Sequence, residues 1–357
     1  GERFLKASGA RRLTEEANNL LTTGPRVINV GLEGFATDLK HNGAPVTHVQ
    51  WQPPRTADSQ VLAALDLLAQ PAFAQKIEAA NGEAIVRMTS AEPVLIDVVP
   101  AGEVLDGLTD HMILHAGPPV AWEDMCGPMR GAIAGAIVLE GWTETLEAAT
   151  ALAAAGKIEF APNHHFDAVG PMTGMTTRSM PMLVVENQAF GNRAYCAINE
   201  GLGKVMRFGG NDESVIDRLR WLETDLAPLL GRALRESGGV ELKNIIARGL
   251  TMGDEMHQRN VACTSLFLRE LGPALALASD DKQKLAAAMR FMAGNDQFFL
   301  NVAMVMGKAI MDPVRGIESS SIVSTMSRNG TDFGVRMSAT DEQWFVAPVE
   351  MPRALYF

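Results

Sequence analysis

The sequence predicts a mixed α+β fold with an N-terminal α/β unit, a central turn-rich α+β unit and an all-helical domain, and three observations predict it. Near the start, Pro25-Arg-Val-Ile-Asn-Val-Gly-Leu-Glu-Gly-Phe-Ala is a β-branched run that breaks at glycines and turns helical. Residues 127–210 are dense in glycine, proline and methionine, which favours irregular backbone of the kind that builds pockets. Residues 213–311 then read as helix after helix. At 357 residues the chain exceeds what one hydrophobic core serves. The expected divisions are 1–110, 111–212, 213–312, and 313–357 returning as strands to the central unit. The apolar end at Leu355, Tyr356 and Phe357 reads as though sequence continued beyond it.

Taken in order, the first strand and helix form the opening βα unit of a doubly wound sheet. A second strand, His48-Val-Gln-Trp-Gln, stops at Pro53 and Pro54. Residues 59–80 form a helical hairpin broken at Pro71. In the central unit a strand from Met112 runs into the rigid turn Gly117-Pro-Pro, and helices follow over 131–140 and 143–155. Further helices are expected over 214–235, 242–247, 254–271, 280–292 and 296–311. Strands return around Ser320-Ser-Ile-Val-Ser-Thr-Met, Phe333-Gly-Val-Arg-Met and Gln343-Trp-Phe-Val-Ala-Pro-Val.

Composition narrows the function. With 47% hydrophobic and 20% charged residues the chain buries enough apolar surface to fold. A net charge of -11 offers no broad basic face, which argues against nucleic-acid binding and leaves any anion site local and concave. Cys126, Cys196 and Cys263 are odd in number and form no CxxC, so a reducing cytoplasm is expected. No apolar run reaches the roughly eighteen residues of a membrane span. Gly31 and Gly34 do not complete GxGxxG, no cofactor motif is found, and the N-terminal unit reads as docking or regulatory scaffold.

Candidate chemistry lies in three places. The helix expected from Asp254 puts Arg259 and Asn260 on its apolar stripe, so a guanidinium turns inward and needs a carboxylate or an anionic ligand. Glu255, four residues before Arg259, is the structural partner. The next apolar helix carries Asn301, Met304 and Lys308 on one face, with Lys308 expected to reach solvent and Asn301 to line a cavity. Between Phe160 and Phe208 lie His164, His165, Asp167, Arg178, Glu186, Asn187, Asn192, Arg193, Asn199, Glu200, Lys204 and Arg207, the parts that hold a carboxylate or phosphate and polarise a carbonyl. In an extended segment His164 and His165 point to opposite faces, and a metal site is not expected. Arg328-Asn-Gly suggests a hairpin turn whose Arg328 and Asn329 border the cleft. Cys196 and Cys263 read as buried thiols.

Several long motifs, in order, resemble the YlbE-like/AllG family of oxamate carbamoyltransferase subunits. They include His115-Ala-Gly-Pro-Pro, Gly127-Pro-Met-Arg-Gly-Ala, Pro162-Asn-His-His, Ser179-Met-Pro-Met-Leu-Val-Val-Glu-Asn, Asn199-Glu-Gly-Leu-Gly-Lys-Val-Met-Arg-Phe-Gly, Thr251-Met-Gly-Asp-Glu-Met-His-Gln-Arg-Asn and Asp296-Gln-Phe-Phe-Leu-Asn. The resemblance implies transfer of a carbamoyl group between carbamoyl phosphate and oxamate, in allantoin breakdown. It also implies partner subunits, one like an acyl-CoA synthetase, and carries no settled set of catalytic residues. That chemistry needs cations on phosphate, donors on the carbamoyl oxygen and a clamp for the acceptor, without a covalent nucleophile. The residue assignment is then Arg193, Lys204, Arg207 and Arg259 on anions, Asn187, Asn192, Asn260 and Asn301 on amides, and His164, His165 or His257 donating to the oxyanion. A non-catalytic assembly subunit and a C–N hydrolase are the rival readings.

Overall fold

The computed structural model describes residues 24–50, 58–117 and 119–321, together with the backbone of three later strands. The chain forms two compact units that divide at Phe73 and Ala74. In the first, β1 (Val27–Val30), α1 (Glu33–His41) and β2 (Val46–Val49) make a parallel βαβ turn with Val27 opposite Val46. This is the predicted strand-to-helix opening, realised as a two-stranded sheet. α2 (Ser59–Leu68) follows, capped by Asp58, whose carboxylate accepts from the amides of Gln60 and Val61. Pro71 starts a new helix, α3 (Pro71–Ser90), as proline at a first turn does, and so divides the hairpin where expected.

The second unit is built on two sheets. β3 (Pro93–Pro100), α4 (Ala101–Val104), β4 (Met112–His115), α5 (Gly127–Leu139), α6 (Leu146–Ala154) and β5 (Glu159–Pro162) come first. β4 and β5 pair in parallel across the α5–α6 crossover, with His115 opposite Pro162. β6 (Ala168–Val169), β7 (Met175–Thr176), β8 (Pro181–Asn187) and β9 (Arg193–Ala197) follow. β7 lies antiparallel to the other edge of β4. The larger sheet has the order β10-β3-β8-β9-β6, with β10 (Val240–Glu241) at its edge. It therefore joins strands from both sides of residue 110.

The helical segment follows its predicted order with shifted boundaries. α7 (Glu213–Trp221) and α8 (Ala227–Ser237) replace one long helix, joined by a π-helical turn, Leu222–Leu226, just ahead of Pro228. α9 (Leu242–Thr251), α10 (Val261–Ala278), α11 (Lys282–Ala293) and α12 (Phe298–Met311) complete it. α10 starts later than expected: residues 254–260 instead form a tight loop in which Glu255 and Arg259 exchange backbone hydrogen bonds. The Asp254 carboxylate accepts from the Cys263 amide and so satisfies one of the free amides in the helix's first turn. α10 is long and apolar enough to cross a bilayer, the one such helix among the described residues. It nonetheless buries Cys263, Leu266, Phe267, Leu271 and Leu275 in the protein core.

That core lies between the larger sheet (Leu95, Leu183, Val185, Cys196) and α8, α10 and α12. Phe267 stands 5.8 Å and 6.1 Å, ring to ring, from Phe298 and Phe299. A second core joins α5 and α6 to Met175, Met180 and Met206. The flexible methionines fill the irregular space around turns. β11 (Ser324–Ser327), β12 (Val335–Ser338) and β13 (Trp344–Ala347) form an antiparallel sheet at the three predicted strand positions. Arg328 and Asn329 lie outside the described residues.

Candidate functional site

α12 runs beside β9 and brings Asn301 to the loop after that strand. Asn301 is 2% exposed, and a buried carboxamide must find partners. Its Nδ2 donates to the Ala197 carbonyl at 2.6 Å, and its Oδ1 accepts from Asn199 Nδ2 at 3.0 Å. Asn295 continues the chain, donating to the Asn199 carbonyl at 2.8 Å and accepting from the Gln297 amide at 3.0 Å. The Gln297 side chain then donates to the Gln258 carbonyl at 3.2 Å and accepts from Arg207. A string of carboxamides thus leads from the sheet to one guanidinium.

Arg207 sits on the short turn Met206–Phe208, stacked 4.6 Å from the Phe208 ring. Two glycines allow the turn this position. A β-carbon on Gly131 of α5 would lie 2.7 Å from the Gly209 carbonyl, and Gly209 itself has φ +86. The Arg207 Nε is buried and has no protein partner among the described residues. Burial lowers the pKa of Arg207 from its ordinary value and the nearby Glu200 opposes that, but a guanidinium keeps its charge at any working pH. Glu200 is in turn raised by burial, while Arg218 and the Met206 amide hold its ionised form. A cavity of about 50 Å³ is lined by Gly170, Thr176, Asn199, Glu200, Arg207 and Asn301, among others.

A second polar group lies on the far side of Gly170. His115 ends β4, and Asn163, His164 and His165 follow β5. Parallel strands present their carboxyl ends together, and loops there commonly hold ligands. The expectation that His164 and His165 point apart is corrected: residues 163–166 form a 3-10 turn, and the two rings meet edge to face at 4.4 Å. His164 is pushed down to about 3, first by burial and then by the charges of His165, Lys308, Arg315 and His115. Lys308, on the same face of α12 as Asn301, is bound by Asp312 at 2.9 Å and is only 10% exposed, so it does not reach solvent as expected.

The remaining predicted residues are placed elsewhere. Asn187 Oδ1 accepts from the Glu92 amide, while Asn187 and Asn192 both donate to the Ala309 carbonyl, tying the β8–β9 turn to the end of α12. Arg193 pairs with Glu186 and is 53% exposed. Lys204 pairs with Asp212 at the surface. Arg259, His257 and Glu255 are exposed on the 254–260 loop, so the inward guanidinium expected there is corrected to Arg207. The loop lacks the helical period on which that expectation stood. Asn260 does turn inward, fully buried, and donates to the Met256 carbonyl at 3.1 Å. Asn199 and Glu200 belong to the polar set named from sequence but had no role of their own there, and Gln297, His115 and Asn163 were not singled out as site residues. The signal for His115 and Asn163 was the end of a β-run followed by turn residues. Among the described residues no three His, Cys, Asp or Glu side chains are grouped to hold a metal ion.

Comparison with known proteins agrees with this architecture. A family model described as "Oxamate carbamoyltransferase subunit AllG" matches residues 158–357. The chain is 49% identical over 280 residues to the Escherichia coli (strain K12) protein of that description, covering 78% of this chain and 67% of the relative. It is 43% identical over 334 residues to "Uncharacterized protein YahG" of the same strain, covering 94% of this chain and 71% of the relative. A crystal structure of a conserved protein of unknown function from Enterococcus faecalis V583 superposes with a TM-score of 0.72 at 40% identity. That match covers 76% of this chain but only 66% of the other, so the chain spans just under two thirds of that protein's length. On the family match and on relatives this similar over most of their length, the chain belongs to the AllG family.

Proposed function

We propose that this chain is a subunit of a cytoplasmic carbamoyltransferase that moves a carbamoyl group between carbamoyl phosphate and oxamate, giving oxalurate, in allantoin and purine nitrogen breakdown. The observation that carries the proposal is the buried Arg207 Nε, a charged donor without a protein partner among the described residues, on a residue that lines a largely apolar cavity together with Asn199, Glu200 and Asn301. Such a donor is stabilised by a small anion, through a charge-assisted hydrogen bond. Family membership supplies the reaction class. The free thiols Cys126, Cys196 and Cys263 support a reducing compartment.

In this reading the oxamate nitrogen forms a bond to the carbamoyl carbon, the carbon–oxygen bond to phosphate breaks, and the nitrogen loses a proton. Arg207 holds an anionic group of the reactants, and Asn199 and Asn301 orient the amides. The departing phosphate takes that proton, because His164, pushed down to about 3, is too weak a base; the neutral His164 ring donates an N–H to the carbamoyl oxygen. Positioning and fixed charge then supply most of the acceleration. Partner subunits, including an acyl-CoA-synthetase-like chain, complete the enzyme.

The test is to supply carbamoyl phosphate and oxamate to the purified chain, alone and with its partner subunits, and to measure oxalurate and phosphate. Product from the complex, lost on Arg207→Met, supports the proposal. A complex that turns over equally well with Arg207→Met moves the site elsewhere. Ammonia release without phosphate identifies a hydrolase.

A further inference from the structure

We infer that Thr173 is a positioning residue for the anion site: held in a left-handed backbone conformation, it uses its hydroxyl to fix the turn that carries Arg207. The inference deepens the proposed function and rests on it for the role of Arg207. Thr173 has a φ of 60° and is 6% exposed. It is the one β-branched residue with positive φ among the described residues. Branching at Cβ crowds the backbone in that region, so threonine there is strained. Strain of this kind persists only where the surrounding structure holds it, and it gathers at working sites.

The local structure shows what holds it. The Pro171 carbonyl accepts from the Gly174 amide at 2.8 Å, which closes a turn with Thr173 in its third position. Positive φ at that position, after a residue of negative φ, is the mark of a type II turn, and it favours glycine or asparagine. The Gly174 carbonyl accepts from the Ala116 amide at 3.0 Å and ties the turn to the end of β4. Glycine would take the Thr173 conformation without strain. What threonine adds is a hydroxyl, and that hydroxyl donates to the Arg207 carbonyl. It also lies 2.6 Å from the carbonyl of its neighbour Met172, and a hydroxyl has one hydrogen to give. Only the bond to Arg207 joins two segments 34 residues apart.

Both segments line the cavity, Pro171, Gly174 and Thr176 from one and Met206 and Arg207 from the other. The Thr173 bond therefore fastens one part of the cavity wall to another. Two more contacts act on the same turn: the Glu200 carboxylate accepts from the Met206 amide at 2.9 Å, and the Gln297 side chain accepts from the Arg207 guanidinium. Thr173 supplies the hold on the Arg207 main chain. Without it the guanidinium samples more orientations, and an anion must order it on binding. The strain at Thr173 is thus the cost of presenting Arg207 ready-placed.

Urea unfolding of the full chain, with calorimetric titration of inorganic phosphate, tests this in wild type, Thr173→Ser, Thr173→Val, Thr173→Gly and Arg207→Met. Phosphate affinity should follow the hydroxyl. Thr173→Ser should bind within about twofold of wild type, and Thr173→Val and Thr173→Gly about three- to tenfold more weakly, the worth of one neutral hydrogen bond. Stability should follow the backbone. Thr173→Val should lower the urea midpoint, while Thr173→Gly should keep or raise it, because relief of the left-handed strain offsets the lost bond. A variant as stable as wild type that binds phosphate more weakly is a result that a purely structural residue does not give. If affinity falls only in step with stability, or if Thr173→Gly unfolds at lower urea than Thr173→Val, the inference is overturned. If Thr173→Val and Thr173→Gly bind as wild type does and Arg207→Met does not, the positioning role fails and the anion site stands. If Arg207→Met and wild type bind phosphate alike, the anion site itself is wrong and the inference falls with it.

Discussion

Replacing Asn301 with alanine removes the hinge of the carboxamide string. The side chain gives one hydrogen bond to the Ala197 carbonyl and takes one from Asn199 Nδ2, both in buried surroundings. Leaving a buried polar atom unpaired costs about 1–3 kcal/mol, so two such atoms give roughly 2–6 kcal/mol before relaxation. The cavity of about 50 Å³ next to Asn301 is large enough to admit a water, which restores part of the loss. The net destabilisation should therefore be about 2–4 kcal/mol, read as a fall in urea midpoint at constant slope. Asn199→Ala alone removes the same contact from the other side, so the double variant should lose less than the sum of the singles. A coupling of about 0.5–3 kcal/mol is expected for residues in one network. A loss below about 1 kcal/mol for Asn301→Ala, or strict additivity with Asn199→Ala, would show that the string is not a unit.

Other residues give independent tests. Arg193→Ala should change stability by no more than about 1 kcal/mol and leave turnover of the complex unchanged, since its pair with Glu186 is at the surface. Gly131→Ala places a β-carbon 2.7 Å from the Gly209 carbonyl, so it should destabilise by about 1–3 kcal/mol and displace the Arg207 turn, seen as weakened phosphate binding. His164 titrates near 6.5 when unfolded and is held down to about 3 in the fold, so between those values the unfolded chain binds the extra proton. Its contribution is complete above about pH 6.5 and is lost as pH falls toward 3. His164→Gln should flatten the acid limb of the stability curve measured between pH 7 and 4.

Much of the fold was legible because periodicity survives burial. The apolar run in α12 and the proline at Pro71 each marked an element that is there. Asn301 was recognisable as an inward carboxamide because a long apolar helix leaves few other places for it. Arg207 was one of several arginines in a turn-rich stretch, and what separates it from Arg193 is the Gly131–Gly209 approach, a contact between residues far apart in sequence. Arg259 was misplaced for a local reason. Its spacing from Met256, Cys263 and Phe267 matches a helix, yet the Asp254 cap and the Glu255–Arg259 bridge begin that helix seven residues later. His164 and His165 were read as extended, and the 3-10 turn that brings them together ends at Asp167 in the left-handed region, which pattern alone does not signal.

The most direct test of the central claim is calorimetric titration of the full chain with carbamoyl phosphate and with inorganic phosphate, in wild type, Arg207→Lys and Arg207→Met. Loss of one buried charge-assisted hydrogen bond predicts about 10–100-fold weaker binding in Arg207→Met. Arg207→Lys should fall between, since it keeps the charge and loses the planar fork. Equal affinity in all three proteins would contradict an anion site at Arg207.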